Sequence, residues 1–529
     1  MTTLPLQQFL DDLDKILDSN PKAIGNRDSR LKWTNDLLEA ADKLLAEKPG
    51  LKKEIQEGKL RQRISGYTTV HETYLGQDKE RAVVDLVQQG GTMLGIGLLG
   101  YTYIMEKAGV RFRSMAGTSA GAINTLLVAA LPDKIYRETS LFDPKDNAVK
   151  SEYLAYLVAN EDFSQFLDRG GFIGRIQGWM IRHIKVAGKI LTVLKYLLPV
   201  FIIAASFGIY SFFYRHFINT ANHLTETQVN NWNFITGTLG IIVIVLLLFL
   251  AIFSLLKKNM GINPGDAPYH WLQSILKTRL VNIHTTNDLM ERKKIEPTIT
   301  YNPPIKPEEK ITYKDPRMVF ITANLTHNRI VKFPENSGDY WHKDYKDFVT
   351  PAAFVRASMS LPFIFHTVVP STRHIQLPGG NPAPEQAVEM LARFVDGGLL
   401  SNFPIREFHT PAGIEPRYPT FGVLLGDLPK EPGKNTAEIE RKFWTQSVFK
   451  YVLSFISTFR NFYDADFLRT HDEFKMLVTS VDTKKFNPLD FGMKLPTKID
   501  LFAAGAKTAI DHLEKFDWTA YLKVREGKR

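Results

Sequence analysis

The chain has 529 residues, of which 44% are hydrophobic, enough for one large core with additions or for two to three domains. It contains no cysteine, which excludes disulfide bonds and thiolate metal sites. The net charge of +10 is compatible with nucleic acid or with an anionic membrane surface, but no zinc-ligand spacing and no RNP-like pattern favours nucleic acid. The acidic first segment has no apolar h-region, so we expect no secretory signal peptide.

Residues 1–75 predict an N-terminal helical extension. Apolar residues recur at helical spacing over residues 6–16 and again over residues 33–44, with proline and glycine between and after them. We expect two or three amphipathic helices that cap the main domain, and a partner-binding module is the alternative.

Residues 80–175 predict the first part of an α/β catalytic domain. An apolar run of strand length at residues 82–87 is followed by a helical stretch at residues 94–108, and a second strand begins at Arg111. Strand, crossover helix and strand are the unit of a parallel sheet.

A G-x-S-x-G motif, Gly117-Thr118-Ser119-Ala120-Gly121, ends the second strand and opens a helix. A sharp strand-to-helix turn holds its apex residue in a strained conformation, and side chains at the two glycine positions would clash there. The turn exposes the Ser119 hydroxyl at a helix N-terminus, where free backbone N–H groups favour developing negative charge. An ordinary tight turn is the alternative for this motif alone.

Gly90-Gly91-Thr92 ends the first strand, and a glycine-rich turn there would aim backbone N–H groups at an oxyanion formed above Ser119. The run from Gly95 to Gly100 matches the G-x-G-x-x-G dinucleotide fingerprint. However, its glycines fall inside the predicted helix, and no acidic residue lies about twenty positions further on. We therefore expect close helix packing at these glycines, and no cofactor.

Residues 176–262 predict a basic juxtamembrane segment and a transmembrane hairpin. Its two apolar spans cover about residues 196–213 and 234–256, and a polar connector joins them. Cations precede the first span and follow the second, so the positive-inside rule places both ends in the cytoplasm. Two buried core helices are the alternative.

Residues 263–529 predict the second part of the α/β domain. Strands are expected at residues 318–323 and 330–333, and a strand near residue 392 ends in Asp396-Gly397-Gly398. A carboxylate at that position points into the crevice where open α/β sheets bind ligands. Further elements are expected as follows: helices at residues 352–358, 443–462 and 501–516, and a strand at residues 476–481.

Taken together, these stretches resemble the patatin-like phospholipases, a family of acyl hydrolases. The likeness covers about residues 80–175 and 265–515. It is carried by four pieces in order: Gly90-Gly91 with Gly95, the elbow Gly117 to Gly121, the run Arg356-Ala357-Ser358-Met359-Ser360-Leu361-Pro362-Phe363-Ile364-Phe365, and Asp396-Gly397-Gly398 followed by Asn402-Phe403-Pro404.

The resemblance implies a three-layer α/β/α fold with a mostly parallel central sheet. It also implies a serine acyl hydrolase that cleaves acyl esters of membrane phospholipids or other acyl lipids through an acyl-enzyme. Ser119 would be the nucleophile and Asp396 the general base. Backbone N–H groups of Gly91, Thr92 and Ala120 are the candidates for the oxyanion hole. Such a dyad needs no metal or cofactor, and with the hairpin it would form an integral membrane protein with a cytoplasmic catalytic domain.

Two alternatives remain open in the sequence. The family's glycine loop usually reads G-G-G-x-R/K-G, whereas Thr92 and Leu94 stand here in place of the third glycine and the basic residue. A catalytically silent membrane scaffold or lipid-binding regulator on the same fold is therefore the second hypothesis. The third is a Ser-His-Asp hydrolase in which His409, which follows Asp396, completes a triad.

Overall fold

The fold was analysed in a computed structural model of the chain. It describes residues 4–131 apart from 21, 22, 24, 75 and 76; residues 149–167; residues 261–426 apart from 295–298, 302–310, 313–315 and 412–413; and residues 464–526 apart from 465 and 472. The predicted hairpin, its basic flank and the predicted helix at residues 443–462 lie outside the described residues. Among the residues that are described, no helix is both long and apolar enough to cross a bilayer.

Helices occupy both ends of the chain and the connections between strands. They are α1 (Leu4–Asp18), α2 (Arg27–Ala46), α3 (Pro49–Gln56), α4 (Lys59–Ser65), α5 (Gly95–Lys107), α6 (Ala120–Ala130), α7 (Lys150–Asn160), α8 (Asp266–Leu276), α9 (Thr286–Lys294), α10 (Pro351–Ser358), α11 (Phe474–Leu477), α12 (Leu495–Lys515) and α13 (Trp518–Glu526). Four helices thus fill the first 65 residues, where the sequence predicts two or three. Short 3-10 turns flank the site, at Thr92–Leu94, Gly397–Leu399 and Ile405–Phe408.

The strands are β1 (Thr68–Tyr74), β2 (Gln77–Gln88), β3 (Val110–Thr118), β4 (Gly261–Asn263), β5 (Ile299–Tyr301), β6 (Ile311–Thr312), β7 (Met318–Asn324), β8 (Arg329–Phe333), β9 (Phe363–Phe365), β10 (Phe394–Asp396), β11 (Thr420–Leu425) and β12 (Val478–Val481). Within the described residues, ten of them form one sheet. Its centre is parallel, in the order β12–β11–β2–β3–β7.

The edges of this sheet are antiparallel: β8 and β10 pair with β7, while β1 pairs with β2 and with β5. The sheet is therefore mixed, and the predicted mostly parallel arrangement applies to its centre. All of β3 and β7 is buried, as expected for strands covered on both faces.

Two compact units are distinguished by their internal contacts. The first comprises residues 1–166, 265–361 and 367–529 and contains the ten-stranded sheet. The second comprises residues 167–264 and 362–366, and in its described part β4 and β9 form a short parallel pair.

The glycines of the apparent dinucleotide fingerprint, Gly95, Gly97 and Gly100, belong to α5, and the last two pack against α12. A β-carbon on Gly100 would lie 2.0 Å from the carbonyl oxygen of Phe502, and one on Gly505 would lie 1.8 Å from that of Gly97. Only glycine permits two helix backbones to approach this closely. The expected close packing is confirmed, and these glycines do not form a phosphate-binding turn before the helix.

His512 joins α12 to α5 and is buried as a neutral imidazole. Its Nδ1 lies 2.8 Å from the Tyr101 hydroxyl, its Nε2 lies 3.3 Å from the carbonyl oxygen of Met476, and its ring packs on Phe421. Burial lowers the pKa of His512 from its ordinary value of 6.5 to about 4.

We expect this histidine to make the fold acid-sensitive. The unfolded chain binds the proton at about pH 6.5 and the folded chain only near pH 4, so stability present above pH 6.5 is lost as the pH falls. At pH 5 the loss is about 2 kcal/mol. Denaturant unfolding between pH 7.5 and 5 should be less pH-dependent for His512→Gln than for the wild type. Equal slopes would contradict the assignment.

Candidate active site

Ser119 is the apex of a sharp turn between β3 and α6. Its φ and ψ are 52° and −118°, a strained conformation for a residue with a β-carbon, as the motif predicts. The flanking glycines are required by close backbone contacts. A β-carbon on Gly117 would lie 2.3 Å from the carbonyl carbon of Gly121, and one on Gly121 would lie 2.4 Å from the carbonyl oxygen of Gln88.

The backbone of Ser119 is anchored by a second serine. Its N–H donates to the Ser358 hydroxyl at 2.9 Å, and that hydroxyl donates to the carbonyl oxygen of Ile321 at 2.6 Å. Ser358 ends α10, so this helix fixes the elbow to β7. Since the N–H of Ser119 is already engaged, the free donors at the start of α6 begin with Ala120.

Asp396 ends β10 and is held in a buried turn. The Gly398 N–H donates to its Oδ1 at 2.7 Å, and its own N–H donates to the Ser360 carbonyl at 2.9 Å. A β-carbon on Gly397 would lie 2.2 Å from the carbonyl oxygen of Ile321, so glycine is sterically required directly after Asp396 as well. Asp396 and Ser119 are each 4% exposed, which keeps bulk water away from both.

The sheet register brings Ser119 and Asp396 together. β8 pairs with residues 320–324 of β7, so β3 and β10 share the opposite edge of that strand. On this edge Thr118 faces Ile321 and Asp396 faces Thr322. Consecutive positions on a strand are about 3.4 Å apart. The end of β3, from which the elbow projects Ser119, therefore meets the end of β10 head-on.

The glycine loop lies against the elbow. A β-carbon on Gly90 would lie 3.0 Å from the Ser119 Cβ, and one on Gly95 would lie 2.8 Å from the Ala120 Cβ. The Gly90 N–H is engaged with the Asn402 carbonyl at 3.0 Å, so it is not available to a substrate. In the described part of the chain, the N–H groups of Gly91 and Thr92 make no backbone hydrogen bond. Together with Ala120, they are the donors that could face an oxyanion.

Thr92 stands where the family pattern has glycine, and its backbone still adopts a glycine-like conformation. Its φ is 49°, in the left-handed region that β-branched residues rarely occupy. Its hydroxyl lies 2.8 Å from the Gly91 carbonyl and also contacts the carbonyl oxygen of Pro488. These contacts offset the strain, and Leu94, the other departure, is buried.

We expect Thr92→Gly to be more stable than Thr92→Val by about 1 kcal/mol. Both variants lose the hydroxyl contacts, but only glycine relieves the left-handed strain, which costs about 1–2 kcal/mol. Part of this gain in stability is cancelled, because glycine has a larger conformational entropy in the unfolded chain. Denaturant unfolding of the two variants beside wild type measures the difference. A valine variant as stable as the glycine variant would contradict the strained conformation.

Two neighbours of the site were not predicted as site residues: Asn402, which lies in the run that carries part of the family resemblance, and Asp464, which has no local sequence signature. Asn402 donates from its side-chain amide to the Gly90 carbonyl at 3.1 Å. Asp464 accepts from Ser401, Asn402 and Phe403, and it reaches the site only through the fold. At the end of β2, the Gln88 side chain accepts from the Asn124 amide at 2.6 Å and donates to the Thr125 hydroxyl at 3.1 Å, which fixes α6 to this strand.

His409 lies in an aromatic cluster with Phe467, His471 and Phe474, with ring centroids 5.0 to 5.4 Å from its own. Burial lowers its pKa, and its Nδ1 has no hydrogen-bond partner among the described residues. Nothing in these contacts gives His409 the oriented imidazole of a triad. No group of three or more potential metal ligands is found in the described part of the chain.

Comparison with known proteins points to one family. Residues 86–409 match the family model described as patatin-like phospholipase, a range that includes both Ser119 and Asp396. No curated protein matches the chain. VipD from Legionella pneumophila is 13% identical, with 85% of this chain and 70% of that chain covered and a TM-score of 0.30. A chain of the heterodimeric ExoU–SpcU complex of Pseudomonas aeruginosa is 12% identical, with 84% and 57% covered and a TM-score of 0.28.

Proposed function

This chain belongs to the patatin-like phospholipase family and is a lipid acyl hydrolase, and on that premise we propose that Ser119 and Asp396 are its catalytic dyad. The observation that carries the proposal is the shared edge of β7, where the ends of β3 and β10 meet. A nucleophile and a carboxylate base placed together in a buried site are what acyl transfer requires.

In the proposed reaction the Ser119 Oγ attacks the carbonyl carbon of an acyl ester and its proton passes to Asp396. The oxyanion accepts hydrogen bonds from the N–H groups of Gly91, Thr92 and Ala120. Collapse of the intermediate breaks the ester bond, and the departing alcohol takes the proton from Asp396. Water then attacks the acyl-serine, gives its proton to Asp396, and the free fatty acid leaves as Ser119 is re-protonated.

The carboxylate of Asp396 needs a fixed direction for both proton transfers. The Gly398 N–H at 2.7 Å occupies one oxygen and supports that direction. The tight contacts of Gly397 and of the elbow glycines support the same rigid placement of both groups.

We further propose that the substrates are membrane phospholipids or other acyl lipids and that the predicted hairpin holds the catalytic domain at the cytoplasmic side of a bilayer. The family supports lipid substrates. The hairpin rests on the two apolar spans and their cationic flanks in the sequence. Substrate would then be collected by lateral diffusion in the bilayer.

Fluorophosphonate labelling of detergent-purified protein tests the dyad. We expect covalent labelling of the wild type and none of Ser119→Ala, because only an activated serine beside an oxyanion hole reacts with this probe. Ser274→Ala is the matched control: this serine is exposed on α8, so its replacement should leave labelling unchanged if activation rather than accessibility decides. Absence of labelling in folded wild type would favour the silent scaffold, and loss of labelling in His409→Ala would favour the triad.

A further inference from the structure

Asp464 is a buried carboxylate that accepts three hydrogen bonds from one short segment. Its Oδ1 accepts from the Ser401 hydroxyl at 2.9 Å, and its Oδ2 accepts from the N–H groups of Asn402 and Phe403, each at 2.8 Å. Its exposed fraction is 6%. Because one side chain accepts all three hydrogen bonds, it ties three consecutive residues to a single point.

The segment that Asp464 holds contacts both the residue before Ser119 and the glycine loop. The Thr118 hydroxyl donates to the Ser401 carbonyl at 3.1 Å, immediately before the elbow. Asn402 exchanges two hydrogen bonds with Gly90: its side-chain amide donates to the Gly90 carbonyl at 3.1 Å, and its own carbonyl accepts the Gly90 N–H at 3.0 Å. Gly90 precedes Gly91 and Thr92, the proposed oxyanion donors.

We propose that Asp464 is a positioning residue that sets the place of the glycine loop relative to Ser119, by holding the segment 401–403 that clamps Gly90. The inference rests on the proposed role of Ser119 for its catalytic consequence, but its structural part does not. Asp464 has no contact with the reacting atoms in this scheme, and its effect passes through Asn402.

The charge state of Asp464 fits this role. Burial raises its pKa to about 6, while the backbone N–H of Phe403, the Ser401 hydroxyl and the backbone N–H of Asn402 oppose that rise, and so does the nearby Arg406. The group is therefore ionised at pH 8, where all three donors find an acceptor. Asparagine could replace it at that pH, because its carbonyl oxygen can face the two N–H groups while its NH₂ faces the Ser401 hydroxyl.

Hydrogen–deuterium exchange of the full-length protein tests the structural part without any need for turnover. In Asp464→Ala we expect about tenfold faster exchange in peptides covering Gly90–Leu94 and residues 401–408. Asp464→Asn should exchange like the wild type, as should Asp466→Ala, which removes an exposed carboxylate two residues away. Unchanged exchange at Gly90–Leu94 in folded Asp464→Ala would overturn the proposal.

If Asp464→Ala fails to fold, Asn402→Ala decides, since it cuts the side-chain link to the Gly90 carbonyl and keeps the backbone bond from the Gly90 N–H. Faster exchange confined to the glycine loop is expected, and unchanged exchange there would overturn the proposal. If the wild type has no hydrolase activity, the proposed function is contradicted. Hydrogen–deuterium exchange at the glycine loop still decides whether Asp464 positions that loop.

Steady-state kinetics at pH 8 test the catalytic consequence. We expect kcat of Asp464→Ala to fall about a hundredfold with KM within about threefold, because the donors move relative to the oxyanion rather than to the bound lipid. Asp464→Asn should restore most of kcat. Equal losses in the alanine and asparagine variants, or a change confined to KM, would contradict positioning of the glycine loop.

Discussion

Ser119→Ala is expected to lower acyl ester hydrolysis on the order of a millionfold, and Asp396→Asn by about a hundred- to ten-thousandfold. The first variant removes the nucleophile. The second keeps the shape of the side chain and can still accept from the Gly398 N–H, but an amide cannot take the proton from the serine hydroxyl. The two losses should not add in the double variant, because both residues act in one step.

Turnover of a chromogenic fatty-acyl ester by detergent-purified protein measures these losses, and phospholipid vesicles then test the natural substrate class. Thermal unfolding of each variant should stay close to that of the wild type, so that lost rate is not lost fold. Hydrolysis by Ser119→Ala at the wild-type rate would refute the assignment of Ser119 as the nucleophile. Full activity of Asp396→Asn would assign the base elsewhere.

Gly117→Ala is expected to destabilise the protein by about 3 kcal/mol or more and to abolish activity in whatever protein folds. The new β-carbon would lie 2.3, 2.4 and 2.7 Å from the Gly121 carbonyl carbon, the Gly121 carbonyl oxygen and the Ala122 nitrogen. All three are backbone atoms at the first turn of α6, which cannot move without displacing the strained turn at Ser119. Overpacking here is therefore more costly than against a flexible side chain.

Gly50→Ala is the matched control for this prediction. Gly50 lies in α3, where an added β-carbon would meet no atom within 4 Å, so alanine should leave stability unchanged or raise it by up to about 1 kcal/mol. Denaturant unfolding of both variants gives the comparison. A Gly117→Ala protein as stable as Gly50→Ala would mean that the elbow is not packed as described.

The glycines of the site were predictable because only one residue type can meet their structural need. The positions beside Ser119 and directly after Asp396 lie so close to other backbone that a β-carbon would clash, and such a need leaves a motif in the sequence. The crossover unit of β2, α5 and β3 followed from hydrophobic periodicity, and so did β7 and β8. Such positions can be recognised from the residue type and its local pattern, even where the atoms that would clash are distant in sequence.

What escaped prediction depends on partners that are distant in sequence. No sequence pattern around Asp464 indicates that its carboxylate oxygens accept hydrogen bonds from residues 401–403. The shared edge of β7 likewise depends on the register of three strands from separate segments. The antiparallel edges of the sheet were missed because the hydrophobic pattern of a short strand does not distinguish parallel from antiparallel pairing. The α12 helix begins at Leu495, earlier than its apolar pattern indicates, because its first turn opens with a proline.

The shared edge of β7 has a consequence for how this chain tolerates insertion. One rigid strand positions the ends of both β3 and β10, so the distance between them does not depend on the length of chain that runs from α6 to β7. That interval contains the whole stretch predicted to enter a membrane. A family member could therefore acquire or lose such an anchor in this interval without changing the position of the end of β3 relative to the end of β10.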